Sequence, residues 1–413
     1  MLSPLLRWLA ARLAPYQPLP PTAPQDPILA RRDQDATAAI QAALDTGLRV
    51  RIPSGHYTVS APLICRTPGQ IIEGEGLGRT FLDYPTTGYR DGLFLVDHLP
   101  EPGPEFQEFA VICQQPGETR QTLVSQAPVF DVRKTPRCRF QEIRVERART
   151  AISLTGNCGG TYIEGCEISA FDRAVSIARI GSDYSMDSMR LLNCHLWVFG
   201  MSPAQQLVQG DGVARNLYCE QADDLNVQGC ILYGAGVTLL AGLGSFSSVD
   251  FDTSADLDIR GGLWTFTGGE MTGIGDRPLA VIRNAEVSFS GTNCLLGNLD
   301  LLPAGRAALE IQGGRTTITG LSVRWGGGQA NPLIDFHNTR VSWAGGDLSW
   351  LHVDWPTPQP VITVRGACRA SLTGLTASDI LPSTGQVLIR ALETENQVLV
   401  THGLVSEGRA LLG

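Results

Sequence analysis

Two aspartates stand on one predicted strand, at a spacing that suits acid–base chemistry. The apolar Val249 and Phe251 alternate with Asp250 and Asp252, which is the pattern of a strand with one buried face. If the apolar residues point inward, the aspartates share the outer face, with Cα atoms roughly 6.5 to 7 Å apart. Cleavage of a glycosidic bond needs two carboxyl groups, about 5 Å apart for retention of configuration and roughly 6.5 to 9.5 Å apart for inversion. This pair is the best catalytic candidate, and a solvated acidic strand face is the plainer explanation of the same pattern.

A second acidic cluster lies upstream of this pair. Glu220, Asp223 and Asp224 fall in the stretch of chain that also contains Trp197 and Tyr218. Aromatic rings beside carboxylates suit the stacking of sugar rings. Ordinary burial of the aromatic residues in a loop is the alternative.

Three further residues complete the candidate set. His195 takes an outward strand position and is the best placed of the six histidines. Asp256 and Asp258 repeat the alternation of the first pair, which predicts four carboxylates on one side of two successive segments. The catalytic candidates are Asp250, Asp252, Glu220 and Asp224, and the ligand-binding candidates are Trp197, Tyr218, His195 and Asp223.

Short sequence repeats indicate which kind of fold holds these residues in place. Ten phrases share one shape: an apolar residue, a polar one, usually Gly or Asn, and then Cys, Gly or Leu. They begin at Ile72, Phe140, Ile163, Leu192, Val227, Ile259, Ile318, Trp343, Leu372 and Val400. Repetition at about 20 to 35 residues predicts a solenoid, and short alternating runs bounded by Gly, Asn or Pro predict strands rather than helices. We expect about ten turns joined by parallel ladders, with Cys166, Cys194 and Cys230 in one interior file.

Composition excludes several classes of function. The 413 residues include 41 acidic and 32 basic residues, for a net charge of −9, and the arginines are scattered. Because neutralising phosphates needs a basic stripe, we expect no nucleic-acid partner. No stretch is long enough to span a bilayer. The ten cysteines form no CxxC pair and no metal-like spacing with histidine, so we expect reduced, buried thiols, no metal and no other cofactor.

The N-terminal part predicts a tail followed by a cap. Residues 1–30 form a docking segment with helical spacing of Leu and a stiff linker that contains six prolines, and a frayed tail is the alternative. Residues 31–413 are assigned to the solenoid. A helix that starts near Asp33 and ends at Gly47 is expected to cover the interior of the first turn, which would otherwise face water.

This opening carries a family resemblance. It includes Asp35, Thr37, Ala39-Ile40-Gln41, Ala43, Ile52-Pro53, Gly55, Tyr57, Pro62-Leu63, Ile72, Gly74, Gly76 and Thr80. The combination resembles the N-terminal turns of pectate-lyase-like right-handed parallel β-helix proteins, especially bacteriophage tailspikes and capsule depolymerases. The resemblance implies an all-β, right-handed parallel β-helix with three faces, a homotrimer, and a polysaccharide bound on an outer face or between subunits. It supplies no catalytic residues.

We therefore predict a polysaccharide-binding, receptor-binding spike or fibre of a phage or phage-like particle, with or without depolymerase activity. It would be made in the bacterial cytoplasm, dock on the virion through residues 1–30 and act outside the cell. A secreted bacterial polysaccharide lyase or glycoside hydrolase is one alternative, and a non-catalytic structural solenoid is another. Five tryptophans are expected to face outward, some of them between subunits, although stacking within the turns is the plainer expectation for them: Trp264, Trp325, Trp343, Trp350 and Trp355.

Overall fold

The chain forms one short helix and a long series of short strands. The computed structural model describes residues 35–85, 91–115, 124–179, 181, 186–198, 214–252, 256–273, 277–326, 331–350, 360–378, 389–391, 397–401, 405–406 and 409–410. The expected docking segment and linker, residues 1–30, lie outside the described residues.

Helix α1 spans Thr37–Asp45, and a 3-10 turn spans Leu299–Leu301. In chain order the strands are β1 (Val50–Arg51), β2 (Gly55–Thr58), β3 (Leu63–Cys65), β4 (Ile71–Glu73), β5 (Thr80–Pro85), β6 (Phe94–Asp97), β7 (Glu105–Gln114), β8 (Phe130–Arg133), β9 (Arg139–Thr155), β10 (Tyr162–Glu164), β11 (Glu167–Ala178), β12 (Met189–Leu192), β13 (His195–Val198), β14 (Arg215–Cys219), β15 (Ala222–Gln228), β16 (Ile231–Tyr233), β17 (Gly236–Leu239), β18 (Gly242–Ser247), β19 (Asp250–Asp252), β20 (Leu257–Ile259), β21 (Leu263–Thr267), β22 (Glu270–Gly273), β23 (Ala280–Arg283), β24 (Glu286–Ser290), β25 (Asn293–Leu296), β26 (Leu309–Gln312), β27 (Arg315–Trp325), β28 (Ile334–His337), β29 (Arg340–Trp350), β30 (Ile362–Arg365), β31 (Arg369–Ser378), β32 (Ile389–Ala391), β33 (Gln397–Thr401), β34 (Val405–Ser406) and β35 (Arg409–Ala410).

The strands coil into three faces. Each strand from β1 to β33 pairs in parallel with strands one turn before or after it, and among the described residues only β34 and β35 pair antiparallel. Face A begins at β1 and β4, face B at β2 and β5, and face C at β3 and β6. The longer strands bend from one face to the next, as β9 does, pairing with β7 on faces A and B and with β8 on face C. The predicted all-β solenoid with parallel ladders is confirmed.

One interior file on face A shows how far the coil extends. Fourteen residues follow one another in backbone register: Val50, Ile72, Phe106, Phe140, Ile163, Leu191, Val227, Phe246, Phe266, Phe289, Ile318, Trp343, Leu372 and Val400. Eight of the ten phrases begin on this file, the phrase at Leu192 begins one residue after the file member Leu191, and the phrase at Ile259 falls on face C. The file has more positions than the ten turns expected, because some turns, such as those of Phe106 and Phe246, lack the complete phrase.

The phrase marks the corner between faces A and B. Its third position adopts positive φ in turn after turn, for example at Gly165 (φ 61°), Asn193 (φ 54°) and Gly320 (φ 65°). Glycine adopts this left-handed conformation without steric cost, and Asn tolerates it better than most residues. The recurring Gly or Asn therefore reflects the sharp bend that moves the chain from one face to the next.

The interior contains the sulfur file and several of the tryptophans. All ten cysteines are buried and lie outside any disulfide, and the Cys194 amide donates to Cys230 Sγ in the adjacent turn. Trp264, Trp325 and Trp343 are fully buried, so the expectation that they face outward is wrong. Their indoles alternate with outward polar residues along the strand and fill the wide interior of the coil. Trp355 and the side chain of Trp350 lie outside the described part.

Helix α1 packs on the first turn of the coil. Ile40 and Leu44 are its buried residues, and the Gln41 side chain donates to the Ile64 carbonyl and accepts from the Ile64 amide. Gln70 Nε2 donates to the Leu44 carbonyl at 3.0 Å, which satisfies one of the free carbonyls at the helix end. The helix starts at Thr37, later than the sequence suggested.

Candidate functional site

Face B brings together four of the sequence-predicted residues. Its outward residues form two parallel files: His195, Ile231, Asp250 and Glu270 in the first, and Trp197, Tyr233 and Asp252 in the second. Neighbours within a file belong to consecutive turns, roughly 4.8 Å apart. Phe251 is buried between the two aspartates, as its alternation with them predicted. We call these seven residues the face B patch.

The two aspartates of the patch differ in their surroundings. Partial burial, followed by the nearby negative charges of Asp252 and Glu270, raises the pKa of Asp250 above its ordinary value of 3.8. Asp252 Oδ1 accepts a hydrogen bond from Thr272 Oγ1 at 3.1 Å, a bond that a carboxylate accepts well. Among the described residues, no Arg, Lys or His side chain lies within ion-pair distance of either aspartate.

An aromatic surface continues from the carboxylates. The rings of His195 and Trp197 lie 4.6 Å apart, centroid to centroid, at an interplanar angle of 45°. Desolvation lowers the pKa of His195, against the opposing effect of the carboxylates Glu167 and Asp252. Trp197 and Tyr233 are register partners and are only partly buried. The patch thus combines a protonatable carboxyl group, a second carboxylate and ring faces on which a sugar can stack.

The second aspartate pair does not join this patch. Asp258 lies on β20, which pairs with β17 and β23 on face C, whereas Asp250 and Asp252 lie on β19 of face B. The prediction of four carboxylates on one side is therefore wrong. The alternation of apolar and acidic residues predicts which side chains point outward, but it does not predict the face: β19 lies on face B and β20 on face C.

On face C the aspartates are held by arginines. Asp258 accepts from Arg260 Nε at 2.9 Å and from Arg283 at 2.7 Å, and its side chain is almost fully buried. Asp256 pairs with Arg215 at 3.1 Å and with Arg277 at 3.7 Å. These two aspartates line a cleft with a volume of about 370 Å³, together with four arginines, Arg260, Arg277, Arg283 and Arg306. We call it the face C cleft; its carboxylates are engaged by cations, so it suits the binding of an anion better than proton transfer.

The upstream cluster is divided by the fold. Glu220 accepts from the Tyr218 hydroxyl at 3.3 Å and from the Arg179 amide at 2.9 Å, at the end of β14 on face C. The Arg173 guanidinium lies 3.6 Å from the centre of the Tyr218 ring, and desolvation is the main cause that raises the pKa of this tyrosine.

The remaining members of that cluster lie elsewhere. Asp223 and Asp224 are exposed at the start of β15, where the register with β18 shifts. Trp197 lies on face B, beside Tyr233. The expectation that Trp197 accompanies the cluster of Glu220, Asp223 and Asp224 is wrong, since these residues project from different faces.

The sequence candidates do not include three members of the patch, Ile231, Tyr233 and Glu270, although the repeat contains a signal for them. Glu270 directly follows the phrase-like segment from Phe266 to Gly269, just as Asp250 follows the equivalent segment of its own turn. Tyr233 lies three residues after Cys230, and Trp197 lies three residues after Cys194. Counting positions from each phrase therefore recovers both outward files.

Neither a metal centre nor a membrane-spanning helix is found in the described residues. No group of three or more His, Cys, Asp or Glu side chains within them is arranged to hold a metal ion. No helix in the same residues has the length and apolar content needed to cross a membrane.

Comparison with known proteins relates the chain to several coiled structures. No protein-family model and no curated protein matches it. Bacteriophage CBA120 tailspike protein 3 is similar in structure, with a TM-score of 0.54 and 13% sequence identity over 92% of this chain and 61% of the tailspike chain. Pre-mature bacteriophage phi29 gene product 12 has a TM-score of 0.50 and 10% identity over 92% of this chain and 56% of its own.

An enzyme is also among the similar structures. The catalytic unit of a thermostable GH87 alpha-1,3-glucanase from Streptomyces thermodiastaticus strain HF3-3 has a TM-score of 0.47 and 14% identity, over 92% of this chain and 68% of the enzyme chain. Of the two phage proteins, in contrast, the chain spans less than two thirds of the length. At these identities the likeness concerns the fold, and the fold of this chain is that of the parallel β-helix proteins, phage tailspikes among them.

Proposed function

We propose that this protein is a polysaccharide-binding spike or fibre of a phage or phage-like particle, and that the face B patch cleaves the bound glycan. One observation carries the proposal: Asp250 has a raised pKa and lies beside a second carboxylate and an aromatic surface. Glycoside hydrolysis requires two carboxyl groups in different surroundings, so that one is protonated and acts as the acid while the other is ionised.

The roles follow from the two environments. Asp250, which keeps its proton to higher pH, acts as the general acid and protonates the glycosidic oxygen as the bond to the sugar carbon breaks. Asp252, which accepts a hydrogen bond from Thr272, acts as the general base and removes a proton from the attacking water. The spacing of alternate residues on a strand, roughly 6.5 to 7 Å between Cα atoms, favours inversion of configuration. Trp197 and Tyr233 provide the surface against which the sugar rings stack.

The assembly and location belong to the same proposal. We propose a right-handed coil, with α1 as the cap of its first turn, a homotrimer, docking to the virion through residues 1–30 and action outside the cell. The phage proteins of similar fold support the particle association. With Trp264, Trp325 and Trp343 buried, the trimer is supported by the family resemblance alone.

A second candidate function is suggested by the face C cleft. A lyase acting on a uronate polymer needs positive groups that neutralise the substrate carboxylate before a base removes the neighbouring proton. The four arginines of the cleft fit the first requirement. A secreted polysaccharide lyase is therefore the alternative, and unsaturated sugar products would identify it.

Both candidates are tested with host capsules and lipopolysaccharides. Wild-type protein is expected to bind at least one of them on a glycan array and to release reducing ends from it. The double variant Asp250→Asn, Asp252→Asn should lose at least about 100-fold of this cleavage and retain binding. The matched control, Asp97→Asn with Glu101→Gln, removes two exposed carboxylates, 43% and 57% accessible, in the early turns and should cleave normally.

Each other outcome contradicts part of the proposal. If no glycan is bound, the spike function is excluded. Unchanged cleavage in the double variant would show that the active site is not on face B. Unsaturated products would favour the lyase. Binding without cleavage in the wild type would leave a non-catalytic receptor-binding fibre.

A further inference from the structure

Three arginines are stacked on face A near the C-terminal end of the coil. Arg315, Arg340 and Arg369 are direct register partners in consecutive turns, and Gln397 occupies the next position. Successive Cα atoms are therefore roughly 4.8 Å apart along the axis. All three side chains are exposed. We call Arg315, Arg340 and Arg369 the arginine ladder.

The positive charges of the ladder are not compensated by carboxylates. Within the described residues, none of the three arginines has an acidic partner at ion-pair distance. Glu286 is the register neighbour of Arg315 on its N-terminal side and ends the positive strip, and it forms no ion pair with any residue that the structure describes. The neighbouring Arg365 on face C, in contrast, pairs with the buried Asp335.

Like charges placed opposite one another on adjacent strands destabilise a sheet. A stack of this kind is relieved when an anion lies across it. Guanidinium groups are well suited to that role, because their planar array of donors matches carboxylate and sulfate oxygens in pairs.

The ladder lines a cavity of suitable size. The cavity has a volume of about 560 Å³, and its lining includes Ser342, Ser371 and Leu399 beside the three arginines. Ser342 and Ser371 are themselves register partners on the outer surface. The site therefore presents a row of cationic groups, a parallel row of hydroxyl groups and the apolar side chain of Leu399, which is 60% exposed.

We propose that the arginine ladder binds a linear acidic polysaccharide, whose carboxylate or sulfate groups recur along the polymer and lie parallel to the axis of the coil. This inference deepens the proposed function, on which it rests for the choice of a glycan, and it assigns a substrate class and a second binding surface on a different face from the face B patch. Repeated anions fit repeated guanidinium groups, and the serine hydroxyls meet the sugar hydroxyls between them.

A glycan fits this surface better than a nucleic acid does. Duplex binding requires a basic surface that neutralises many phosphates at once, whereas the ladder is a single row of three arginines on a protein with a net charge of −9. A short positive strip on an acidic protein suits a polymer that can approach along one narrow face.

The test uses polygalacturonate and heparin as anionic probes, dextran as the neutral probe and duplex DNA as a competing polyanion. Titration calorimetry of the full chain should show binding of one or both anionic glycans that weakens as salt is raised. Because a hydrogen bond to a charged group contributes about 1.5 kcal/mol or more, each Arg→Gln change in the ladder should weaken binding roughly tenfold. The triple variant Arg315→Gln, Arg340→Gln, Arg369→Gln should show no measurable binding.

Matched variants keep the result specific to the ladder. The control replaces Arg51, Arg66 and Arg137 with Gln and so removes the same charge from side chains that are 52%, 58% and 54% exposed elsewhere on the coil. It should bind as the wild type does, and thermal unfolding monitored by circular dichroism should show that both triple variants are folded. An Asp250→Asn, Asp252→Asn protein that still binds polygalacturonate or heparin would separate the ladder from any failure of the face B patch.

Four outcomes would overturn the inference. They are equal loss of binding in both triple variants, unchanged binding in the ladder variant, dextran bound as tightly as the acidic polymers, and DNA bound through the ladder while neither acidic glycan is bound.

Discussion

The same short motif, Asp-x-Asp, occurs twice within nine residues and meets opposite surroundings. On β19, Asp250 and Asp252 have no cationic partner among the described residues, and burial together with carboxylate neighbours raises the pKa of Asp250. Asp256 directly precedes β20 and Asp258 lies on it, and each of these aspartates is paired with two arginines. One pair favours a protonated carboxyl group, and the other anchors a network of ion pairs.

The difference lies in residues that are distant in sequence. Arg283 reaches Asp258 from the next turn, and the position one turn before Asp250 is taken by Ile231, which is 41% exposed. In a parallel coil, each outward side chain has its closest outward neighbours one turn away along its file. The chemistry of an acidic motif is therefore set by residues of the neighbouring turns as well as by those of its own turn.

Replacing one aspartate from each motif should separate their roles in stability. Asp258→Asn leaves Arg260 and Arg283 without their carboxylate, and because both arginines are partly solvated, we expect the free energy of unfolding to fall by about 2 kcal/mol. Asp250→Asn removes a charge that is repelled by Asp252 and Glu270, and the change should stay within about 0.5 kcal/mol of the wild type. Urea denaturation measures both, and equal losses would show that the two environments do not differ.

A cation introduced into face B should make the first motif resemble the second. Ile231→Arg places a guanidinium one turn from Asp250, which favours the ionised carboxyl and lowers the pKa of Asp250. If Asp250 is the general acid, the alkaline limb of the pH–rate profile shifts to lower pH, and cleavage of a bound capsule polysaccharide at neutral pH falls roughly tenfold.

The control for this variant is Leu243→Arg. Leu243 is equally exposed, at 42%, and lies on face A, so an arginine there adds the same charge away from the patch. An identical shift of the pH–rate profile in both variants, or no shift in either, would contradict the assignment of Asp250 as the acid.

Much of the fold follows from local chemistry in the sequence. The alternation around Phe251 assigns Asp250 and Asp252 to the outer surface, and the left-handed corner explains the Gly or Asn of the phrases. The same alternation places Trp264 inside, since Thr265 separates it from the equally buried Phe266. The outward orientation expected for Trp264 conflicts with this alternation.

The face on which a residue lies could not be predicted in the same way. A period of two distinguishes inward from outward, whereas a three-faced coil also requires the number of corners between two residues. Two motifs that look alike therefore lie on different faces, on β19 and β20. In the same way, no feature of the sequence predicts that β11 bends from face B to face C. The arginine partners of Asp258 depend on that same count of corners.

The pH dependence of the free energy of unfolding should show the smallest effect, and it tests the environment of Asp250 most directly. In the unfolded chain Asp250 titrates near its ordinary pKa of 3.8, and in the folded protein its pKa is higher. Between these two values the folded state binds more protons than the unfolded state, so the contribution of Asp250 to stability falls as pH rises.

The Asp250→Asn variant lacks this loss of stability. Its stability relative to wild type should therefore increase by roughly 0.5 kcal/mol between about pH 3 and pH 7, the magnitude of an exposed charge pair. Urea unfolding of both proteins across this range measures the difference. A flat difference would mean that folding leaves the pKa of Asp250 unchanged, and a difference that favours the wild type at higher pH would mean that folding stabilises the Asp250 carboxylate; either result would contradict its role as the proton donor.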